Sequence, residues 1–514
     1  MYPPESEEGN IEYKLLVKDI DLDHFAGQMR RRILEGGGEA IYLIGVSDDG
    51  KPLGIGDEEL NQALEAVRRA AERIGAVVYL VRIGEGIRGK IAEVLIRNRA
   101  GEDKPPPTVY VVAIGNVDAG KSTLIGVLVS GNLDDGRGRA RAYAARYKHE
   151  VLTGRTSAVS TRLLGFRGYD IVNAELPDPL DEASVFLNSD KTILLIDVGG
   201  HEGYLRTSLR GILGTAPDYA MLVVAANSGV QRMTKEHLGI AVAMSIPVFV
   251  VITRIDITPN DVLERTLNDV MALLKMPGVS KLPYLVRNEA DVAVAAKVMP
   301  NGRVAPIFLV SNVTGQGLEL LRRFLSLIPK RIVVPNTGKP LLYISEIYLV
   351  RGVGLVVGGL LEGGELHVGQ RMYMGPYADG SWKQVRIKSI HINKVSVATA
   401  RPGQYITVAV DGVDEVAKGM VILPEPAGSV TRLIADVIVL RHPTAIRPGF
   451  TGVVHLRTIR TPATITWIDK GALMLGDMGR IELKLAKPWY IVEGDRFIFR
   501  NGPTRVLGKV AQVF

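Results

Sequence analysis

The sequence predicts a multidomain chain in which an α/β phosphate-loop domain is preceded by a small α+β module and followed by two all-β barrels. Three observations carry that prediction. Residues 109–114 are an apolar, β-branched run that ends in Gly115-Asn-Val-Asp-Ala-Gly-Lys-Ser-Thr123, and a second apolar run follows directly. Buried-strand patterns then recur as far as residue 310, each closing in polar residues. Beyond Pro340 the texture changes to short strands separated by glycine turns. With 514 residues, 46% of them hydrophobic, the chain has material for about three or four packed domains.

Composition narrows the chemistry. The absence of cysteine excludes disulfides, zinc knuckles and thiol catalysis together. No run of about eighteen apolar residues exists, and the opening Met1-Tyr-Pro-Pro-Glu5 has no signal character, so a soluble cytoplasmic protein without membrane attachment is expected. The net charge of +7 is unevenly spread: −5 over residues 1–106, +3 over 107–330 and +9 over 331–514. The basic C-terminal third suits a polyanionic partner, and equally suits ordinary solubilising charge.

Residues 1–104 read as the α+β module with its linker. One helix places Leu22, Phe25, Met29 and Ile33 on a single face and stops at Gly36; a second, with Asp57 as N-cap, buries Leu60, Leu64, Val67, Ala71 and Ile74. Strands are expected over 40–46, 76–82 and 90–96. The run Arg30-Arg-Arg32 reads first as a solvated helix face, with RNA contact as the alternative, and the prolines at 105–107 as a stiff, extended linker.

Residues 105–335 form the phosphate-loop domain. A strand that turns through Gly115 and Gly120 into a helix aims backbone amides at a polyphosphate; Lys121 reaches its terminal phosphates and Ser122 can ligate Mg2+. Asn116, Val117, Asp118, Ala119 and Thr123 complete the cradle. The strand 191–196 ends in Asp197-Val-Gly-Gly200, which places an acid for a metal-bound water and the Gly200 amide for a γ-phosphate. Strands over 219–225, 247–252 and 307–310 lead into a helix near Thr234, into Thr253-Arg-Ile-Asp256 and into Ser311-Asn-Val313 respectively. All these groups fall just past strand C-termini, where open parallel sheets bind ligands. The polar segment 131–160 reads as a long functional connection. Residues 336–426 and 427–514 read as the two barrels, and the alternation of Ile434, Asp436 and Ile438 against Ala435, Val437 and Val439 reads as a strand buried on at least one face.

The ordered loops Gly115–Ser122, Asp197–Gly200, Thr253–Asp256 and Ser311–Val313, with the switch candidate Thr156, resemble those of translational GTPases of the elongation factor Tu and elongation factor 1 alpha type. Asn132–Gly138, Lys148-His-Glu150, Gly154-Arg-Thr-Ser157 and Ser311-Asn-Val-Thr-Gly315 extend the resemblance to the GTP-binding protein 1 family over nearly the whole chain. The resemblance implies a GTPase that uses GTP, GDP and Mg2+. It implies Ser122, Thr156 and Asp197 as metal ligands, His201 as the residue that orients water, and Asp256 as acceptor of the guanine N1 and N2 protons. It further implies a cytoplasmic monomer whose barrels meet the ribosome and tRNA or mRNA. A conformational latch with little turnover and a sulfate-activation accessory GTPase share the same core.

Two departures from the wider pattern stand out. Thr253 occupies a position where the pattern usually has Asn, and Arg254 one where it has Lys; the shorter Thr253 side chain predicts weaker bracing of the loop. Arg155 stands beside Thr156 where an apolar residue is usual, which puts a cation near the γ-phosphate or in a resting ion pair.

Overall fold

A computed structural model describes residues 5, 10–17, 21–99, 105–145, 159–200, 216–331 and 337–514. The first layer is a four-stranded sheet in the order β1-β2-β4-β3, built from Ile11–Lys14, Glu39–Ile44, Lys90–Asn98 and Ala76–Glu85. Helices α1 (Leu22–Glu35) and α2 (Asp57–Arg73) cover one face, where Phe25, Met29, Leu60 and Val67 pack against Tyr42, Ile44, Val94 and Ile96. Asp57 is the first helical residue and Gly56 is the cap; the Glu59 carboxylate accepts the Gly56 N–H at 3.2 Å. That corrects the expected cap by one position and puts three acids, Asp57, Glu58 and Glu59, in the first turn, where they favour the helix dipole.

The other face of this sheet is also buried, because Leu95 joins the core of the next domain and Ile41 and Tyr79 pack against it. An ionic cluster seals the contact. Arg97, whose side chain is fully buried, donates to Glu39 at 3.1 Å and to Asp190 at 3.3 Å, while Lys191 reaches Glu39 at 3.3 Å and the Ile328 carbonyl. Tyr79 donates to Asp190 from across the boundary.

The arginine run is a solvated face except at its last member. Arg30 and Arg31 are exposed, and Arg31 pairs with Glu35 at 2.7 Å. Arg32 is buried between Glu12 (2.6 Å) and Glu5 (3.0 Å). The prolines are no free spacer either: Pro106 and Pro107 are buried, and Pro107 fills the space beside Gly38.

The nucleotide domain is an eight-stranded sheet whose two edge strands are β11 (Leu282–Leu285) and β7 (Asp170–Ile171). Its centre is parallel: β5 (Thr108–Gly115) lies between β8 (Lys191–Asp197) and β9 (Tyr219–Ala225), followed outward by β10 (Val248–Thr253) and β12 (Val304–Leu309). Along β5, Val109, Val111 and Ala113 enter one core while Tyr110, Val112 and Ile114 enter the other. Burial on both faces is why these strands read as unbroken apolar runs. The expected long connection ends at the residue expected, since Ser160–Arg167 forms β6, antiparallel to β8.

Leu341 to Leu423 supplies the first barrel, in which Arg371–Gly375, Val421–Leu423, Leu341–Val350, Gly354–Glu362, Tyr405–Asp411 and Lys383–Ile392 are neighbours in that order and the last pairs with the first. Val430 to Val513 supplies the second, closed in the order Val430–Arg441, Met478–Trp489, Ile459–Ile468, Thr451–Leu456, Arg496–Asn501 and Thr504–Val513. Closure removes exposed sheet edges. Ala435, Val437 and Val439 do line the second barrel's core, and Asp436 between them pairs outward with Arg480 at 2.8 Å.

Both barrels touch the nucleotide domain. The Tyr405 N–H donates to the Tyr110 hydroxyl at 2.8 Å, and Lys330 donates to the Thr108 carbonyl (3.0 Å) and the Gly403 carbonyl (3.2 Å). Arg441 of the second barrel pairs with Glu236 at 3.4 Å. Among the described residues no helix is long and apolar enough to cross a membrane.

Candidate functional site

The cleft forms where β5 gives way to helix α3 (Lys121–Ser130). Three glycines make that turn possible. Gly115 has φ +136°, and a Cβ there would lie 2.3 Å from the Val223 carbonyl oxygen. Gly120 caps the helix in the left-handed region at φ +87°. A Cβ on Gly200 would fall 2.6 Å from both the Val117 nitrogen and Lys121 Nζ, so the 197–200 loop seats directly on the phosphate loop only because that side chain is absent.

Around this turn lies a cavity of about 370 Å³. It brings together Val117, Asp118, Gly120, Lys121, Ser122, Thr123, Gly200, Arg254, Asp256, Asn312 and Val313, drawn from four loops separated by up to about 200 residues of sequence. Asn116, Ala119, Thr253, Ser311 and Asp197 stand behind that wall. Asn116 turns to Gln231, and the buried Ser311 hydroxyl accepts the N–H groups of Val313 (3.2 Å) and Thr314 (3.0 Å). Thr156 and His201, together with Arg155 and the stretches 148–150 and 154–157, lie outside the described residues.

Lys121 is buried, and its ammonium donates to the carbonyls of Asn116 (2.7 Å) and Gly115 (3.3 Å). Burial pushes its pKa below the ordinary lysine range, while Asp197 and Asp118 pull the other way. Ser122 Oγ donates to Asp197 Oδ2 at 2.5 Å. A hydroxyl and a carboxylate side by side are hard oxygen donors, the set that Mg2+ prefers when phosphates and water complete its shell. No group of three or more acidic or imidazole ligands occurs among the described residues, which fits that arrangement and not an all-protein metal cage.

Thr253 does brace the phosphate loop. Its hydroxyl donates to the Ala119 carbonyl at 2.8 Å, tying the end of β10 to the phosphate loop. The short side chain suffices because the two backbones run close: the space beside Gly120 is filled by Thr253 itself, 3.4 Å from a Cβ built there. Arg254 takes φ +62°, which turns its side chain to the cleft, and its carbonyl accepts the Thr258 hydroxyl at 2.6 Å.

Two features escape sequence reasoning. His237, on the helix Arg232–Ala243, is fully buried with Nδ1 3.1 Å from both the nitrogen and the oxygen of Gly115. Burial first, then the charge of Lys121, hold its pKa down at about 4, so this imidazole is neutral beneath the loop. The other is the stretch Asp134–Arg141, which closes one side of the cavity with Asp134, Gly136, Arg137, Gly138 and Arg141. The repeated acid-then-glycine pattern Asp134-Asp-Gly-Arg-Gly138 was the available signal, since carboxylates there bond the backbone two and four residues on.

Comparison with known proteins agrees with this geometry. Residues 106–330 match the elongation factor Tu GTP binding domain, and residues 354–423 match elongation factor Tu domain 2. The chain is 39% identical to GTP-binding protein 1 of Xenopus laevis over 96% of its own length and 76% of the relative's. It is 37% identical to GTP-binding protein 2 of Mus musculus over 99% of its length and 88% of the relative's. Among solved structures, translation elongation factor SelB from Methanococcus maripaludis, in complex with the GTP analogue GppNHp, is similar with a TM-score of 0.57 at 19% identity, over 80% of both chains. At that identity the likeness is one of fold. The phosphate loop, the metal-type donor pair and the two following barrels thus sit in a chain that belongs to the GTP-binding protein 1 and 2 family of elongation factor Tu-type GTPases, which bind and hydrolyse GTP with Mg2+.

Proposed function

We propose that GTP sets the grip of the two barrels on an RNA partner, the ribosome with tRNA or mRNA, and that hydrolysis relaxes it. The observation that carries this reading is the placement of charge: residues 331–514 carry +9 and residues 107–330 carry +3, while the N-terminal 106 residues carry −5, for a net of +7. Arg441 of the second barrel pairs with Glu236, next to His237 which sits against Gly115, so a change at the phosphate loop has a short path to that barrel.

Residue roles follow from chemistry. Lys121 and the amides from Asn116 to Thr123 neutralise phosphate oxygens, with Val117, Asp118 and Ala119 shaping the loop and Gly200 offering its amide to the γ-phosphate. Ser122 and Asp197 would hold Mg2+, which would supply charge neutralisation at the phosphates. Thr156 is the third metal ligand of the GTP state, and His201 orients the attacking water. Asp256 accepts two guanine protons, which adenine does not offer, while Arg254, Ser311, Asn312 and Val313 bound the base.

Aminoacyl-tRNA and deacylated tRNA should be titrated with GTP and with GDP, alongside phosphate release with and without ribosomes. Tighter RNA binding with one nucleotide, a steep fall with salt and faster turnover on ribosomes are expected. Identical, salt-insensitive RNA binding in both nucleotide states, with no ribosomal stimulation, would refute the reading.

A further inference from the structure

We propose that Arg137 and Arg141 form an arginine pair, supplied by this chain itself, that grips the α-phosphate of the bound guanine nucleotide in both its GDP and GTP forms. The inference rests on the cleft being the nucleotide site.

The loop that carries the pair is pinned with unusual thoroughness for a segment just past a helix. The nearly buried Asp134 carboxylate accepts N–H groups from Gly136 (3.0 Å), Gly138 (2.9 Å) and Ala140 (2.9 Å), and Asp135 accepts from Arg137 (2.9 Å) and Arg139 (3.3 Å). The Asp134 N–H donates to the Asn312 carbonyl at 2.8 Å, which ties the loop to the base end of the cleft. Its far end is pressed onto helix α3: a Cβ on Gly126 would lie 1.9 Å from the Ala140 carbonyl oxygen. Only glycine permits that approach.

The result of this bracing is a held guanidinium. Arg141 Nε donates to the Gly138 carbonyl at 2.9 Å and its NH2 group to the Arg137 carbonyl at 3.0 Å. Gly138 takes φ +83°, a left-handed conformation that favours glycine, and the Arg141 guanidinium packs directly over it. Among the described residues neither Arg137 nor Arg141 forms a salt bridge, yet both line the cleft with Ser122 and Thr123. Position along the cleft selects the ligand group. Asp256 and Asn312 mark the base end, and Lys121 with Gly200 marks the terminal-phosphate end. Arg137 and Arg141 line the cleft together with Ser122 and Thr123, on a loop tied to the base end through the Asn312 carbonyl, so the phosphate nearest the ribose is the group assigned to them. A pre-organised planar cation is suited to a phosphate oxygen, and such charge-assisted bonds are strong.

The test uses the full chain and measures affinity for GDP, GTP and GDPαS, in which sulfur replaces one α-phosphate oxygen. Arg141→Ala and Arg137→Ala are each expected to weaken GDP and GTP by the same factor, about tenfold to a hundredfold for Arg141. Arg141→Lys should recover part of that loss. The wild-type preference for GDP over GDPαS should disappear in the double variant. Arg137→Ala guards against a folding artefact, since its guanidinium braces nothing described in the loop. Unchanged affinities, a loss confined to GTP, or a thio-penalty that persists in the double variant would each overturn the proposal. A wild-type chain with no guanine-nucleotide affinity would instead sink the site itself, so the two failures are distinct.

Discussion

Two buried charged regions, about one sheet length apart, solve the same problem in opposite ways. At the junction of the N-terminal module and the nucleotide domain, Arg97 and Lys191 face Glu39 and Asp190, and each cation has a carboxylate within 3.3 Å. Under the phosphate loop, Lys121 leans on carbonyl oxygens and its neighbour His237 is kept neutral. The first region is balanced and holds two domains together. The second keeps its positive potential for a ligand. Balanced burial therefore marks structure in this protein, and unbalanced burial marks function.

Breaking each region should give opposite signatures. Arg97→Met strips a fully buried cation from two carboxylates and is expected to cost about 3 to 5 kcal/mol of stability, read by urea denaturation, with guanine-nucleotide affinity kept under native conditions. Lys121→Met should reverse the pattern, with at least about a hundredfold weaker GDP and GTP binding and no loss of denaturation midpoint. If Arg97→Met removed binding from a chain that still melts cooperatively, or Lys121→Met unfolded it, the contrast would fail.

Acidity sharpens the same contrast. Between pH 6.5 and about 4 the unfolded chain takes up a proton that the folded His237 refuses, so stability falls as the pH drops through that window, by about 3 kcal/mol in all. Burial also holds Lys191 down at about 8, with Glu39 opposing. From about pH 8 to 10.5 the unfolded chain binds the extra proton, so this group makes the fold more stable as pH rises. Denaturation midpoints against pH should show the acid limb flattened in His237→Asn alone and the alkaline limb flattened in Lys191→Met alone.

What the residues reveal in order depends on how local the cause is. The central strands were legible because double-sided burial writes itself as an apolar run, as in Tyr219–Ala225. Strand β6 was not, since Ser160-Thr-Arg162 opens it with polar residues at the rim of the sheet. Arg32 looked solvated because its partners Glu5 and Glu12 lie 27 and 20 residues away. The Thr253 brace was illegible for the same reason: no property of threonine reports that β10 ends beside Ala119. Spacing made the cleft's list of residues readable, but not which of them face it and which stand behind.

The smallest effect belongs to that brace. Thr253→Val keeps the shape and removes the hydroxyl from the Ala119 carbonyl, which should cost about 1 kcal/mol, or about fivefold in nucleotide affinity measured by titration. An affinity equal to wild type would leave the hydrogen bond without a role in the site.

The most direct measurement is the base preference of Asp256→Asn, compared with wild type by equilibrium binding of GTP, ATP and xanthosine triphosphate. Asp256 lines the base end of the cleft, and an amide there complements the altered edge of xanthine. The expected result is a switch from GTP to xanthosine triphosphate with ATP excluded throughout. Undiminished preference for GTP in the variant would contradict the assignment of the cleft.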